Sequence, residues 1–341
     1  MNSLELNDQL LTQYLQTKIS DFTGPAISKK FSGGQSNPTY LLTAKSGDYV
    51  LRRKPRGILL KSAHAVDREF RVMQALEKTE VPVPRMLHLC EDESVIGSIF
   101  FVMECVRGEI YWDATLPDFD AAQRKTMYQA MGKVLSNLHR VNIGDIGLSD
   151  FGRPGNYFSR QISRWTQQYE ATETETIEAM NKVIEWLPAN LPEDDGRVSL
   201  VHGDFRLDNM MFNPDQLTVT ALLDWELSTL GHPFADLAYQ CMQLRMDPGE
   251  HLPGLNGIDR SKLGIPGEQE YVDQYCQYSG IEKIDNWPFY LIFSFFRMAA
   301  ILQGVKKRAI DGNASSATAL GYATLVKPLA EKALLIIQQE L

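Results

Sequence analysis

The first hundred residues alternate between short apolar runs and polar turns. Leu4 to Ile19 has apolar residues near helical spacing and predicts a helix. His64 to Leu76 predicts a second helix, whose inner stripe contains Val66, Phe70, Met73 and Leu76. Runs rich in β-branched, aromatic or other apolar residues predict strands at 27–31, 39–43, 49–53, 86–90 and 99–104. This part of the chain is therefore predicted to contain a set of short strands and two helices.

From about residue 106 the apolar pattern becomes helical. Asp120 to Arg140 predicts a long helix with Asp120 as its cap, and further helical regions are predicted at 156–186 and from 271 onward. Segments 188–196 and 247–267 carry loop-forming residues, and the second is expected to be exposed. Trp287 to Leu302 is the most apolar segment, but it is short for a membrane span and carries Arg297 at its centre. We therefore predict a buried helix there and no membrane insertion.

Length and composition predict a soluble globular protein. The 341 residues allow two lobes or domains, and 44% hydrophobic with 23% charged residues is ordinary for this class. A net charge of -9 argues against a nucleic-acid partner but leaves room for a small basic pocket that binds a nucleotide. The four cysteines have no metal-binding spacing, and the polar N-terminus has no signal-peptide pattern. Together these features predict a cytoplasmic location.

Residues 200–209, Leu-Val-His-Gly-Asp-Phe-Arg-Leu-Asp-Asn, carry the strongest chemical signal. Asn209 follows Asp204 by five positions, and Asp224 ends the next predicted strand, 217–223. In kinases, a loop Asp accepts the hydroxyl proton, a following Asn binds Mg²⁺, and a later Asp links the metal to the phosphates. The order therefore predicts phosphoryl transfer, with Asp204 as the base and with Asn209 and Asp224 as metal ligands.

A simpler interpretation treats the polar residues of this stretch as turn and cap residues. Asp is common in such positions because its side chain bonds nearby backbone N–H groups. We give Asp236 that role and expect it to bond N–H groups behind the catalytic loop. His139 is interpreted as a structural helix cap and His232 as a turn residue. The upstream pattern decides in favour of the phosphoryl-transfer interpretation for Asp204.

Two upstream features match that chemistry. Ser32, Gly33 and Gly34 lie in a small, polar loop between two predicted strands, where the backbone could approach a phosphate closely, although such a pair of glycines is often only a turn. Strand alternation places Arg52 on the same face as Val50, and Glu69 of the following helix is in position to reach Arg52. A basic residue at this point holds the α- and β-phosphates in kinases and pairs with a helix Glu. We therefore predict an Arg52–Glu69 ion pair.

The last strand of the sheet is predicted to lead into the joint between the lobes. Met103 would back an adenine pocket, although packing in the core is the commoner role of a single Met. Backbone groups of the following segment would bond the adenine. The complete set of predicted nucleotide-binding residues is Ser32, Gly33, Gly34, Val50, Arg52, Glu69, Met103, Glu104 and Val106.

With these residues assembled, the chain resembles the aminoglycoside phosphotransferase-like family of small-molecule kinases, which includes the choline kinase type. The resemblance rests on His-Gly-Asp-x-x-x-x-Asn at 202–209 and Leu-Asp-Trp at 223–225, and it runs from about 31 to 341. The amino-acid sequences of segments 224–233 and 65–69 are similar to those of the family branch that is associated with acyl-CoA dehydrogenases. Arg52 stands where that family usually has Lys, and Arg grips phosphate differently from Lys.

The resemblance implies an α+β, bilobal, protein-kinase-like fold. A small, mainly antiparallel N-lobe would span 1–105, and a larger helical C-lobe would span 106–341. It also implies ATP (GTP remains possible) and Mg²⁺ as cofactors, and a small-molecule hydroxyl as the phosphate acceptor. The aromatic helical inserts predict a partly apolar acceptor, and kinship suggests a hydroxyacyl or hydroxyacyl-CoA metabolite with a functional link to an acyl-CoA dehydrogenase. The alternatives are an antibiotic kinase, such as an aminoglycoside kinase, and a nucleotide-binding regulatory module with weak or no catalysis.

Overall fold

The computed structural model describes residues 6–31, 37–55, 65–249, 252–312 and 319–340. The chain forms two compact units. The first unit comprises Met1–Glu109, Met211–Asn213 and Thr220–Leu227, and the second comprises Ile110–Met210, Pro214–Val219 and Ser228–Leu341. The functional lobes 1–105 and 106–341 stay a prediction, since these units are defined by compactness alone.

A five-stranded antiparallel sheet forms the core of the first unit. Its strands are β1 (Ile27–Lys30), β2 (Thr39–Ala44), β3 (Gly47–Arg53), β4 (Met86–Cys90) and β5 (Phe100–Glu104), in the order β1-β2-β3-β5-β4. One face packs on helix α1 (Asp8–Lys18), and Leu11 and Leu15 are buried against Leu51 and its neighbours. Helix α2 (Val66–Leu76) lies on the side of the sheet that carries Phe101. Period-two alternation therefore directs Arg52, which pairs with Phe101 in the β3–β5 register, toward α2.

A β-hairpin belongs in part to this unit. Strands β7 (Met210–Asn213) and β8 (Thr218–Leu222) pair with each other. Glu109 exchanges two backbone hydrogen bonds with Phe212, and the Leu222 N–H donates to the Pro82 carbonyl. A short 3₁₀ helix, Trp225–Leu227, follows β8 and contacts α2. These contacts place Asp224 in the same unit as Arg52.

The second unit is mainly helical. Its long helices are α3 (Ala121–Arg140), α4 (Tyr157–Thr172), α5 (Glu178–Ala189), α6 (Phe234–Arg245), α8 (Glu268–Ser279), α9 (Trp287–Ile310) and α11 (Val326–Gln339). The short helices are α7 (Arg260–Leu263) and α10 (Ala319–Ala323). Strand β6 (Ser199–Val201) pairs with β9 (Thr229–Gly231). The predicted cap of α3 is confirmed, because Asp120 and Gln123 form a reciprocal capping box.

Helix α9 is the centre of the helical core. Its length and composition would suffice to cross a membrane, but 83% of its most apolar 18-residue window is buried inside the protein. It packs against α4, α6 and α11. The prediction of a buried helix is confirmed, and Arg297 is itself only 5% exposed.

The predicted helical region 156–186 is confirmed and consists of two helices, because Glu173 leaves helical backbone geometry and ends α4. Two other local predictions are corrected. The loop at 188–196 begins later than predicted, because Pro188 is accommodated inside α5. The segment 247–267 is not wholly exposed, since Leu255 and Ile265 are buried. All four cysteines are free thiols, and three of them are buried.

Candidate active site

The loop after β6 is held from behind by a buried carboxylate. Asp236 of α6 accepts hydrogen bonds from the backbone N–H groups of His202 (2.6 Å) and Gly203 (2.9 Å). Nε2 of His139 lies 3.4 Å from the same carboxylate, and its Nδ1 is 2.7 Å from the Tyr275 hydroxyl. Burial opposes ionisation of Asp236, but these partners outweigh it and lower its pKa. The predicted structural role of Asp236 is confirmed, and His139 orients Asp236 besides lying in the last turn of α3.

Asp204 is fixed on both carboxylate oxygens. The Tyr239 hydroxyl donates to Oδ1 at 2.6 Å, and the Asn209 amide donates to Oδ2 at 2.9 Å. The same amide also donates to the Asp204 carbonyl at 2.8 Å, and Arg206 Nε lies 3.5 Å from Oδ1. Burial opposes the charged form, but the Arg206 cation and the Tyr239 and Asn209 donors lower the pKa of Asp204. The carboxylate is therefore ionised and has a defined orientation.

A pocket of the second unit adjoins these partners of Asp204. Arg206 and Tyr239 contribute to its wall, and Arg206 also pairs with Asp208 at 3.0 Å. Most of the remaining lining is apolar or aromatic and includes Trp112, Met242, Met246, Leu252, Pro253, Met298 and Tyr322. Trp112 is 68% exposed, which is unusual for so large an apolar side chain. A hydroxyl compound with an apolar part would fit this lining.

The first unit contains the predicted Arg52–Glu69 ion pair. Nε of Arg52 lies 2.9 Å from Oε2 of Glu69, and its Nη2 donates to Oδ1 of Asp224 at 2.5 Å. Asn37 donates to the other oxygen of Glu69 at 2.7 Å and lies 3.5 Å from Oε2 of Glu226. The Arg52 guanidinium therefore interacts directly with the carboxylates of Glu69 and Asp224, and the charge of Glu226 is close to it.

The charges of this cluster are unequally buried. Glu69 is 1% exposed, and burial raises its pKa to about 8, although the Arg52 charge and the Asn37 amide act in the opposite direction. The charges of Asp224 and Glu226 also raise it. Glu69, which is buried next to one cation and two other carboxylates, therefore readily takes up a proton.

The remaining nucleotide-binding predictions lie along the sheet. Val50 and Met103 are direct partners in the β3–β5 register, and both are buried on the face toward which Arg52 projects. Glu104 ends β5, and Val106 follows it as a half-buried residue. The predicted phosphate loop, Ser32, Gly33 and Gly34, lies outside the described residues. The roles of all these residues stay predictions.

The oxygen atoms of the two predicted metal ligands suit Mg²⁺. The Asn209 nitrogen is occupied by Asp204, so its amide oxygen is the atom left for a cation. Asp224 offers a carboxylate whose side chain is 32% exposed. Hard oxygen donors are what Mg²⁺ prefers. Asn209 belongs to the second unit and Asp224 to the first, and each fits the metal by its own chemistry.

Sequence reasoning missed several residues that contact the predicted ones. Tyr239 donates a hydrogen bond to Asp204, Arg206 forms an ion pair with Asp204, and Asn37 donates a hydrogen bond to Glu69. Arg206 lies two residues from Asp204 and could have been noticed, whereas Tyr239 follows it by 35 positions, with no spacing rule to link the two. The interpretation of His232 as a turn residue was too simple. Its ring is buried, lies 3.2 Å from Asp195 and stacks on Tyr290, and burial lowers its pKa.

Comparison with known proteins identifies the family. Residues 28–279 match the APH phosphotransferase enzyme family, so the chain belongs to it. Acyl-CoA dehydrogenase family member 10 of Mus musculus is 48% identical over 333 residues, which are 97% of this chain and 31% of that protein. The chain spans less than half the length of the curated relatives it matches.

Solved structures share the fold. A Ralstonia eutropha JMP134 protein, provisionally described as an aminoglycoside phosphotransferase, is 46% identical, with a TM-score of 0.90 over 98% of this chain and 99% of that chain. An aminoglycoside phosphotransferase in complex with ADP and hygromycin B has a TM-score of 0.63 over 96% of this chain and 98% of that chain, at 12% identity. The predicted family and the α+β, kinase-like fold are both confirmed.

Proposed function

We propose that the protein transfers the γ-phosphoryl group of ATP to a hydroxyl group of a small molecule. The observation that carries this proposal is Asp204, a half-buried carboxylate oriented by Tyr239 and Asn209 beside a pocket. Such a carboxylate is what a general base for a hydroxyl requires. Membership of a phosphotransferase family supports the reaction class.

In the proposed step, Asp204 accepts the proton of the acceptor hydroxyl. The acceptor oxygen forms a bond to the γ-phosphorus, the bond from that phosphorus to the β–γ bridging oxygen breaks, and ADP leaves. Arg206 and Tyr239 hold Asp204 in place while its charge is neutralised by the proton. Positioned acid–base groups of this kind contribute typically ~10²–10⁴-fold to the rate.

The nucleotide and the metal are assigned to named residues. Arg52, held by Glu69, would contact the phosphates, and Val50 and Met103 would line the adenine site. Asn209 and Asp224 would hold Mg²⁺, which neutralises phosphate charge when bound. Bound ADP in a structure that shares this fold supports a nucleotide of this type.

For the acceptor, we propose a hydroxyacyl compound, as the free acid or as its CoA thioester. The apolar pocket wall formed by Met242, Met246 and Met298 suits an acyl chain. Relatives named as acyl-CoA dehydrogenase family members support the choice of an acyl compound as the acceptor. An aminoglycoside carries several positive charges, whereas the carboxylate of Asp208 in this wall is already paired with Arg206.

An ATP-consumption assay with Mg²⁺ tests the proposal. Hydroxyacyl-CoAs of several chain lengths, free hydroxy acids, sugars, amino alcohols and aminoglycosides are compared as acceptors. Asp204→Asn is expected to lose about 10²-fold or more in kcat, whereas Asp215→Asn, at an exposed turn, keeps the wild-type rate. An Asp204→Asn variant as active as wild type would refute the mechanism. Turnover with aminoglycosides alone would refute the hydroxyacyl assignment.

A further inference from the structure

Arg297 is a buried cation that the proposed mechanism does not yet use. It lies in the middle of α9 and is only 5% exposed. Burying a charge is costly unless a partner compensates it. Among the described residues no carboxylate forms an ion pair with Arg297, and its Nε has no hydrogen-bond partner. The cation must therefore be stabilised by other groups.

Two of the three groups that contact the Arg297 guanidinium are connected to Asp204. Nη2 of Arg297 donates to the Gly203 carbonyl at 2.7 Å, which is the peptide group directly before Asp204. Its guanidinium carbon lies 5.6 Å from the ring centroid of Tyr239 and 5.8 Å from that of Trp165, within the range of cation–π attraction. Tyr239 is the residue whose hydroxyl bonds Asp204. One side chain thus contacts both the backbone and the ring that orient the predicted base.

Gly203 is held between two buried charges of opposite sign. Its N–H donates to the Asp236 carboxylate, and its carbonyl accepts from Arg297. Its φ of +83° lies in the left-handed region, which non-glycine residues rarely adopt. The anion and the cation therefore compensate each other through a single residue and fix its conformation.

We propose that Arg297 is a positioning residue for Asp204, which it holds through the Gly203 carbonyl and the Tyr239 ring. This inference rests on the proposed function, because it assigns Arg297 to the same catalytic loop. It explains why a cation stands in the most apolar helix of the chain. Removing the cation should leave the fold and the nucleotide site intact while the base loses its alignment.

The test compares Arg297→Met and Arg297→Lys with the matched control Gln303→Met. Gln303 lies on the same helix, is 1% exposed and likewise donates to a backbone carbonyl, that of Thr172 at 2.6 Å. Within the part of the chain that the structure describes, its side-chain hydrogen bonds go to Thr172 and Thr174. Two readouts are used: the kcat and KM values for ATP, and hydrogen exchange of the amides of residues 202–205 in the free protein.

Arg297→Met is expected to lower kcat on the order of 10- to 100-fold, because a small displacement of a catalytic group has an effect of this size. The KM for ATP is expected to change less than about twofold. Arg297→Lys is expected to fall between this variant and wild type, because a point charge reproduces only part of the guanidinium contacts. Exchange of the loop amides should quicken in Arg297→Met and stay unchanged in Gln303→Met.

The inference would be overturned if Arg297→Met had the wild-type kcat and the wild-type rate of hydrogen exchange at residues 202–205. It would also be overturned if Gln303→Met lowered kcat as much as Arg297→Met does. If Arg297→Met does not fold, Arg297→Lys decides, since a wild-type rate and wild-type exchange in that variant also contradict the proposal. If the wild-type protein transfers no phosphate to any acceptor, the proposed function fails. The exchange measurement then still tests the contact of Arg297 with the loop.

Discussion

The charge cluster around Arg52 makes a quantitative prediction about stability. Arg52 is 13% exposed on its side chain and pairs with Glu69, which is 1% exposed. Arg52→Met keeps most of the volume and removes the cation. Removing one partner of a buried pair typically costs about 3–5 kcal/mol, because the other charge stays buried without compensation. We expect the free energy of unfolding to fall by about that amount at pH 9, above the pKa of Glu69, where this carboxyl is charged in the wild-type protein.

The same variant should show a characteristic pH dependence. Burial raises the pKa of Glu69 to about 8 even with Arg52 present, and loss of the cation raises it further. A carboxyl whose pKa is higher in the folded state stabilises the fold below its ordinary pKa. It loses that contribution as the pH rises through the folded value. The cost of Arg52→Met is therefore expected to be smaller at pH 5, where Glu69 is protonated in both folded proteins, than at pH 9, where Glu69 is ionised in the wild type.

Urea unfolding between pH 5 and pH 9, followed by fluorescence and far-UV circular dichroism, measures this dependence. Adding Glu69→Gln to Arg52→Met should remove most of the pH dependence, because no buried carboxyl then remains at that position. Arg85→Met is the matched control, since the Arg85–Glu104 pair is exposed, 3.6 Å apart and expected to contribute at most about 1 kcal/mol. The reasoning would be refuted if the two arginine variants lost equal free energies of unfolding, or if the loss in Arg52→Met did not depend on pH.

Three further predictions concern the second unit. Tyr239→Phe removes the donor to Asp204, so we expect kcat to fall by roughly tenfold, the equivalent of one hydrogen bond to a charged group, with the KM for ATP unchanged in steady-state kinetics. Trp112→Ala should raise the KM for an apolar hydroxy compound and leave that for ATP unchanged, since the exposed indole lines the proposed acceptor pocket. Asp120→Ala breaks the capping box of α3 and should cost about 1 kcal/mol in urea unfolding without a change in kcat.

The elements that the sequence predicts well are those that local patterns specify. Period-two alternation placed Arg52 on one face of β3, and helical spacing placed Glu69 on α2, so their ion pair followed from two local rules. Asp120 was recognisable as a cap from its position before an amphipathic run. Pro188 misled because proline usually ends a helix, whereas here the helix continues past it to Ala189.

Residues brought together by tertiary packing were harder to predict. Tyr239 and Arg297 follow the catalytic loop by tens of residues on separate helices, and no periodicity relates them to Asp204. The sequence does show Arg297 as a charge within an apolar helix, which signals a buried role without naming its partner. The contacts of His232 were harder still to predict from the sequence, since its partners Asp195 and Tyr290 lie far from it on either side in the chain.

Asp224 combines its motif with a backbone conformation that points to function. Its φ of +63° is left-handed, which is unusual for a residue other than glycine. Leu116 and Leu217 also have positive φ, so this angle alone does not distinguish it. What does distinguish Asp224 is that its carboxylate is at the same time bonded to Arg52 at 2.5 Å. Such a backbone conformation persists only where the surrounding contacts enforce it. At Asp224, a predicted metal ligand, it orients the carboxylate before the metal ion binds.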